Sequence, residues 1–114
     1  MAYIHKIKVI PFEAEIKNNS MNYKEGESLE FVCEYTNMSQ IQIQKISWFH
    51  NEKDITKNNQ FGIKIQNNNL TLIIQNLDHL LHDGIYYCQI DVVLNTVYSI
   101  RSSSYMLNIE CKRF

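Results

Sequence analysis

The chain has 114 residues, 45% of them hydrophobic, and sets 11 Lys and Arg against 12 Asp and Glu for a formal net charge of -1. That length holds one domain burying roughly two-thirds of its unfolded surface, and scattered, nearly balanced charge excludes the basic footprint that neutralises phosphates, so no nucleic acid partner is expected. The apolar stretches are too short to span a bilayer, and MAYIHKIKVI lacks the apolar run and cleavage site of a secretory leader; the segment reads as a mature ectodomain with no direct membrane insertion.

No repeat, linker or charge block divides the sequence, so residues 1–114 read as a single domain with a core over about 4–110 and a tail from Cys111 to Phe114. IHKIKVI (4–10) alternates, Pro11 breaks the ladder and FEAEI (12–16) alternates again, which predicts an edge strand that switches sheets at the proline. YKEGES marks a turn. SLEFVCEY (28–35) then puts Leu29, Phe31, Cys33 and Tyr35 on one face.

IQIQKISWFH (41–50) points Ile46 and Trp48 inward and Lys45, Ser47 and Phe49 outward. NEKDITKNN is a polar loop with room for a short strand around Ile55, and FGIKI (61–65), the turn QNNN and LTLIIQNL (70–77) follow, with Leu70, Leu72 and Ile74 on one face. IYYCQIDVV (85–93) and YSIRSSSYMLNI (98–109) form a closing pair joined around Leu94 to Val97. Short strands with turn signals every eight to twelve residues predict an all-β sandwich or barrel.

Cys33 and Cys88 lie on inward faces of non-adjacent strands with Trp48 between them. Such a pair forms either one disulfide across two packed sheets or two buried thiols. The bridged form requires an oxidising, extracellular location, secreted or as the ectodomain of a cell-surface protein. Sequons at Asn18, Asn37 and Asn69 agree, each as a glycosylation acceptor in a predicted turn or strand end. Cys111, beyond the last strand, is left over. It pairs with a second copy as an intermolecular disulfide in a homodimer, with an adjoining domain, or with nothing.

DHLLHD (78–83) collects His79 and His82 with Asp78 and Asp83, but no third imidazole converges on it, so it reads as a solvated turn and no metal or other cofactor is expected. His5 and His50 read as isolated surface side chains. With no phosphate loop, nucleophile elbow or paired carboxylates in a cleft, an enzyme is not expected. If Tyr86, Cys88, Ile90 and Val92 face inward, Tyr87, Gln89, Asp91 and Val93 face outward beside Lys45, Ser47 and Phe49. Leu107 and Ile109 inward turn Met106 and Asn108 outward. Phe49, Tyr87, Val93 and Met106 then anchor a ligand-binding patch with Leu94, Val97 and Tyr98 near the hairpin tip.

HDGIYYC (82–88), together with Cys33, Trp48 and Tyr86, resembles the immunoglobulin superfamily over nearly the whole chain. The resemblance implies a Greek-key sandwich of two antiparallel sheets, one inter-sheet disulfide, and a tyrosine corner in which Tyr86 bonds loop backbone. His82 stands where the family usually has an aspartate, with Asp83 next to it, so the family's buried ion pair is not carried over. The short interval from Trp48 to Phe61 favours an intermediate-set domain over a full variable-type one.

FVCEY (31–35), NLDH (76–79), IYYCQIDV (85–92) and the late cysteine look like T-cell costimulatory and inhibitory receptors, although VLNTVY (93–98) replaces their proline-rich hairpin motif. ISWFHNEKDI (46–55) and the run from YYCQIDVV onward are similar to a middle domain of interleukin-1 receptors and viral decoys built like them. These resemblances imply a protein ligand, an immune receptor, cytokine or counter-receptor, recognised in immune signalling or immune evasion. The alternative is a homophilic adhesion module.

Overall fold

The computed structural model describes residues 13–18, 22–36, 41–57 and 62–111, with the Leu94 side chain excepted. Residues 4–10, Pro11, the Asn37 sequon and Phe61 lie outside this set. The described strands, in chain order, are β1 (Ala14–Asn18), β2 (Leu29–Tyr35), β3 (Gln42–His50), β4 (Lys53–Asp54), β5 (Ile63–Gln66), β6 (Thr71–Ile74), β7 (Gly84–Leu94), β8 (Thr96–Arg101) and β9 (Tyr105–Leu107), with one helical turn, α1 (His79–His82), before β7.

One sheet runs β1-β2-β6-β5 and the other β4-β3-β7-β8, with β9 also pairing β7; every ladder between named strands is antiparallel. The expected two-sheet sandwich is therefore present. Its core is the inward alternation of both sheets: Leu29, Phe31 and Cys33 from β2, Leu72 and Ile74 from β6, Ile46 and Trp48 from β3, and Tyr86, Cys88, Ile90 and Val92 from β7 are all buried. Cys33 and Cys88 are joined by a disulfide across the sheets, with Cα atoms 6.0 Å apart.

The switch of sheets expected at Pro11 lies outside the described residues. Up to Asn18 the chain pairs with β2, and by Lys24 it forms a parallel bridge to Glu110 beyond β9 on the other sheet. Buried Tyr23 anchors the crossing, its carbonyl accepting the Glu110 amide at 2.9 Å.

Two irregularities decide which side chains reach which face. In β3 the register with β7 shifts between Ile43 and Lys45, so Ile43 and Ile46, at odd and even positions, both turn to the core. In the closing strand, Gln89 pairs Arg101 while Tyr86 pairs Tyr105, leaving three residues, Ser102–Ser104, opposite two. This is a one-residue bulge. Buried Ser102 satisfies its edges: its Oγ accepts the Cys88 amide at 3.0 Å and its own amide donates to the Cys88 carbonyl at 2.8 Å.

Candidate functional site

Because side chains alternate with period two, the bulge inverts the facing of everything before it relative to everything after it. After the bulge Leu107 is inward and Met106 outward, as expected; before it Val97, Ser99 and Arg101 are exposed while Tyr98 and Ile100 pack against the core. Tyr98 is thus removed from the outer patch and Arg101 placed on it. Uninterrupted alternation back from Leu107 assigns both the wrong way round.

Tyr87 lies on the outer face but is not an open anchor, being only 2% exposed. Phe49, its direct cross-strand neighbour, stacks on it with centroids 4.8 Å apart and planes 7° from parallel. The Arg101 guanidinium sits 3.9 Å from the ring centroid, and its Nη2 donates to the phenol oxygen at 2.9 Å. Glu52 joins through Oε2, which accepts the phenol at 3.5 Å, and Oε1, 3.8 Å from Arg101 Nη1. Burial raises the phenol above its ordinary pKa; Arg101 opposes and Glu52 adds to the effect.

Glu52 is delivered by the turn between β3 and β4, where Asn51 and Glu52 both have positive φ, 49° and 69°. Neither Glu52 nor Arg101 was a candidate from sequence. Glu52 had no signal there, since its position depends on that left-handed turn, whereas three consecutive serines (102–104) marked the place where the strand's alternation could break.

The remaining candidates separate into two groups. Gln89, Asp91 and Val93 are half-buried along β7, with exposed Val97 opposite Val93 at the hairpin. Asp91 Oδ1 accepts the Ser99 hydroxyl at 2.7 Å, and Lys45 is its partner across β3. The hairpin closes through Asn95 at φ 67°, a conformation asparagine tolerates. Met106, 67% exposed, pairs with Ile85 at the other end of β7, about 27 Å from Val93 at 3.4 Å per residue, and does not join the hairpin group. Ser47, expected outside, is buried.

Below this face lies the polar cluster expected to be a solvated turn. Instead DHLLHD forms α1, with Asp78 as N-cap accepting the Leu80 amide at 2.9 Å. His82 is 1% exposed, and its Nδ1 accepts the Asp78 amide at 3.0 Å. Asp83 Oδ1 accepts the Ile109 amide at 2.7 Å, using the carboxylate on backbone. The Tyr86 hydroxyl donates to the His82 carbonyl at 2.6 Å, which is the tyrosine corner the sequence resemblance implied.

His50 is likewise not an isolated surface group. Its ring stacks on Tyr86 at 4.3 Å and its Nε2–H donates to the Asp83 carbonyl at 2.8 Å. Of the sequons, Asn18 ends β1 on the opposite sheet and its exposed amide donates to the Tyr105 hydroxyl at 3.0 Å; Asn69 donates to the Ile46 carbonyl at 3.1 Å while its own carbonyl accepts the Trp48 indole N–H at 2.7 Å. Cys111 is exposed and outside the bridge.

The family model for the immunoglobulin I-set domain matches residues 12–100. The chain belongs to the immunoglobulin I-set family. This I-set domain is similar in fold to the ectodomain of mouse nectin-like molecule 4, at 18% identity and TM-score 0.65 over 88% of the chain, and to the V domain of amphioxus IgVJ-C2, at 20% identity and TM-score 0.60 over 78%. It also resembles the N-terminal four-domain fragment of Dscam1, at 22% identity and TM-score 0.60 over 88% of the chain. The I-set domain spans 30% of the nectin-like chain, 98% of the amphioxus V domain and 21% of the Dscam1 fragment. No curated protein sequence matches it.

Proposed function

We propose that this I-set domain is an extracellular recognition module that binds a protein ligand in immune signalling or immune evasion, as a cell-surface receptor or a secreted decoy. The observation that carries the reading is the outer face of the five-stranded sheet. Phe49, Tyr87, Arg101 and Glu52 are locked against one another there, so the face is pre-ordered and loses little side-chain entropy on docking. Beside that block, Gln89, Asp91, Val93 and exposed Val97 run to the hairpin tip, an apolar edge with polar neighbours. The Cys33–Cys88 disulfide supports the extracellular part of the reading, because such a bond persists in oxidising compartments.

The contact set is Phe49, Gln89, Asp91, Val93, Val97 and Arg101, with Tyr87 as the support beneath them and Met106 at the margin. A dimeric fusion of the domain, offered side by side to soluble cytokines and to intact immune cells, tests the reading. Capture of a cytokine identifies a decoy or cytokine receptor, and cell staining alone a surface counter-receptor. Either signal should fall at least tenfold in Asp91→Lys and Val97→Asp with melting temperature unchanged. Concentration-dependent self-association under reducing conditions, with no heterologous capture, overturns it in favour of homophilic adhesion.

A further inference from the structure

At the end of the sandwich opposite the hairpin, two segments far apart in sequence are held together by backbone. The turn at Lys24–Glu27 is tied from both sides to Leu77, just before the N-cap of α1: the Gly26 amide donates to the Leu77 carbonyl at 2.9 Å, and the Leu77 amide donates to the Glu27 carbonyl at 2.9 Å. The Glu25 amide is fixed on the far side by the Glu110 carbonyl at 3.1 Å. This frame brings the Glu25 carboxylate to Asp78 and His79. One donor atom from each of the three lies within 4.8 Å of the other two, and all three residues are half-buried.

The imidazole supplies an independent observation. His79 Nδ1 is sealed from solvent and has no hydrogen-bond partner, whereas its neighbour His82 uses Nδ1 on the Asp78 amide. A buried polar atom without a partner is destabilising, and a native structure that keeps one calls for a reason such as an ion. The other two side chains present oxygen acceptors already oriented by backbone: Asp78 Oδ1 by the Leu80 amide, and Glu25 Oε2 by the His79 amide at 3.4 Å.

We propose that Glu25, Asp78 and His79 form a binding site for a divalent first-row ion of the zinc type. Two carboxylates and one imidazole are an oxygen-and-nitrogen donor set that such ions accept in four-coordinate geometry, with water at the fourth position. Metal–ligand bonds of about 2.0–2.2 Å place tetrahedral donors roughly 3.4 Å apart, so atoms now within 4.8 Å of one another close by at most about 1.4 Å on loading. His82 and Asp83, the other members of the DHLLHD run, are committed to backbone. The third ligand comes instead from the first turn, which local sequence spacing does not reveal. A bound ion clamps that turn to α1 and stiffens the end of the sandwich from which Cys111 emerges.

The test uses the whole domain carrying Cys111→Ser, so that the exposed thiol does not compete, and titrates zinc chloride by calorimetry while histidine ring resonances are followed by NMR. Expected are one equivalent bound, a melting temperature raised by several degrees at saturation, perturbation of the His79 ring ahead of His50 and His82, and no displacement by excess magnesium. Glu25→Gln and Asp78→Asn keep the acceptors for the His79 and Leu80 amides, so both should fold normally yet bind zinc at least tenfold more weakly. Failure of zinc to bind, equal binding by both variants, or perturbation confined to other histidines overturns the proposal.

Discussion

Aromatic side chains lie on both faces of β3 and β7, two inward and two outward, and each set is sealed by different means. Trp48 and Tyr86 face the other sheet and are 0% exposed; Phe49 and Tyr87, one residue further along each strand, face outward, yet Tyr87 is still only 2% exposed. The inner pair is buried by global packing: Phe31 from β2 meets Tyr86 edge-on at 5.5 Å, and the polar atoms are satisfied by the backbone carbonyls of Asn69 and His82. The outer pair is covered by side chains of its own sheet and an adjoining turn, Arg101 and Glu52. Burial by a second sheet is irreversible short of unfolding. Burial by a long, charged side chain is reversible without unfolding.

The sharpest way to break the inner half is Cys88→Ser. The bridge closes a loop with sequence separation 55, and the chain-entropy model values that at about 4 kcal/mol. Secretion should collapse, or guanidinium unfolding should show a loss of that order; an unchanged midpoint would contradict the structural role of the bridge. Trp48→Ala belongs in the same class, at about 3–5 kcal/mol for a fully buried aromatic.

Tyr86→Phe isolates the corner hydrogen bond from the packing of the ring. Loss of the donor leaves the His82 carbonyl short of a partner and should cost about 1–3 kcal/mol with the fold intact. The same phenol gives a pH signature. Burial first, and the Asp83 charge second, push its pKa well above the ordinary value of 10.0. A group whose pKa rises on folding contributes stability that is complete below its unfolded pKa and is lost as pH climbs toward the folded one. Stability of the wild type should therefore decline above pH 10 more steeply than that of Tyr86→Phe, as read by urea midpoints.

On the outer side, Arg101→Ala should lower stability by less than about 1 kcal/mol, because an exposed guanidinium over an exposed-face ring and a loose ion pair are each weak. It should nevertheless uncover Tyr87, seen as increased accessibility of that phenol to tetranitromethane nitration. Equal reactivity before and after would mean that Phe49 alone supplies the cover.

Alternation of residue type carries most of this architecture, since a buried face must repeat every second residue. The inward sets of β2, β6 and β7 are legible from it, as are the Cys33, Trp48 and Cys88 core and the tyrosine corner of the family pattern. Alternation fails where a strand gains a residue. Ser102–Ser104 turns Tyr98 in and Arg101 out, and QK at 44–45 lets Ile43 and Ile46 share the core. The site was harder to read than the fold for a second reason. Its cover depends on contacts between β8, the Asn51–Glu52 turn and β7, none of them local. His50 and His82 were misplaced because polar residues in a loop signal solvent unless the backbone groups that bury them are known.

The smallest effect tests how far the two aromatic pairs are coupled. Asp54 pairs opposite Phe49 across β3 and β4, and its Oδ1 accepts the Thr56 amide at 2.8 Å; Thr56 Oγ1 in turn accepts the Trp48 amide at 2.8 Å. One turn therefore touches the strand between the inner and outer rings. Slight burial works to raise the Asp54 pKa, but the Thr56 hydrogen bonds, aided by Lys45 and Lys57, outweigh it and hold the carboxyl below its ordinary value of 3.8. A depressed pKa contributes stability that is present above the unfolded pKa and lost as pH falls through the folded one. Because Asp54 is exposed, solvent screening keeps the contribution small, so Asp54→Asn should shift the melting temperature at pH 7 by about 1 °C. The shift should fade as pH falls below 3.8 and through the lowered folded pKa. If the substitution instead alters Tyr87 nitration at mildly alkaline pH as much as Arg101→Ala does, the inner and outer pairs are one mechanical unit through Thr56; if not, the outer face adjusts without disturbing the core beneath it.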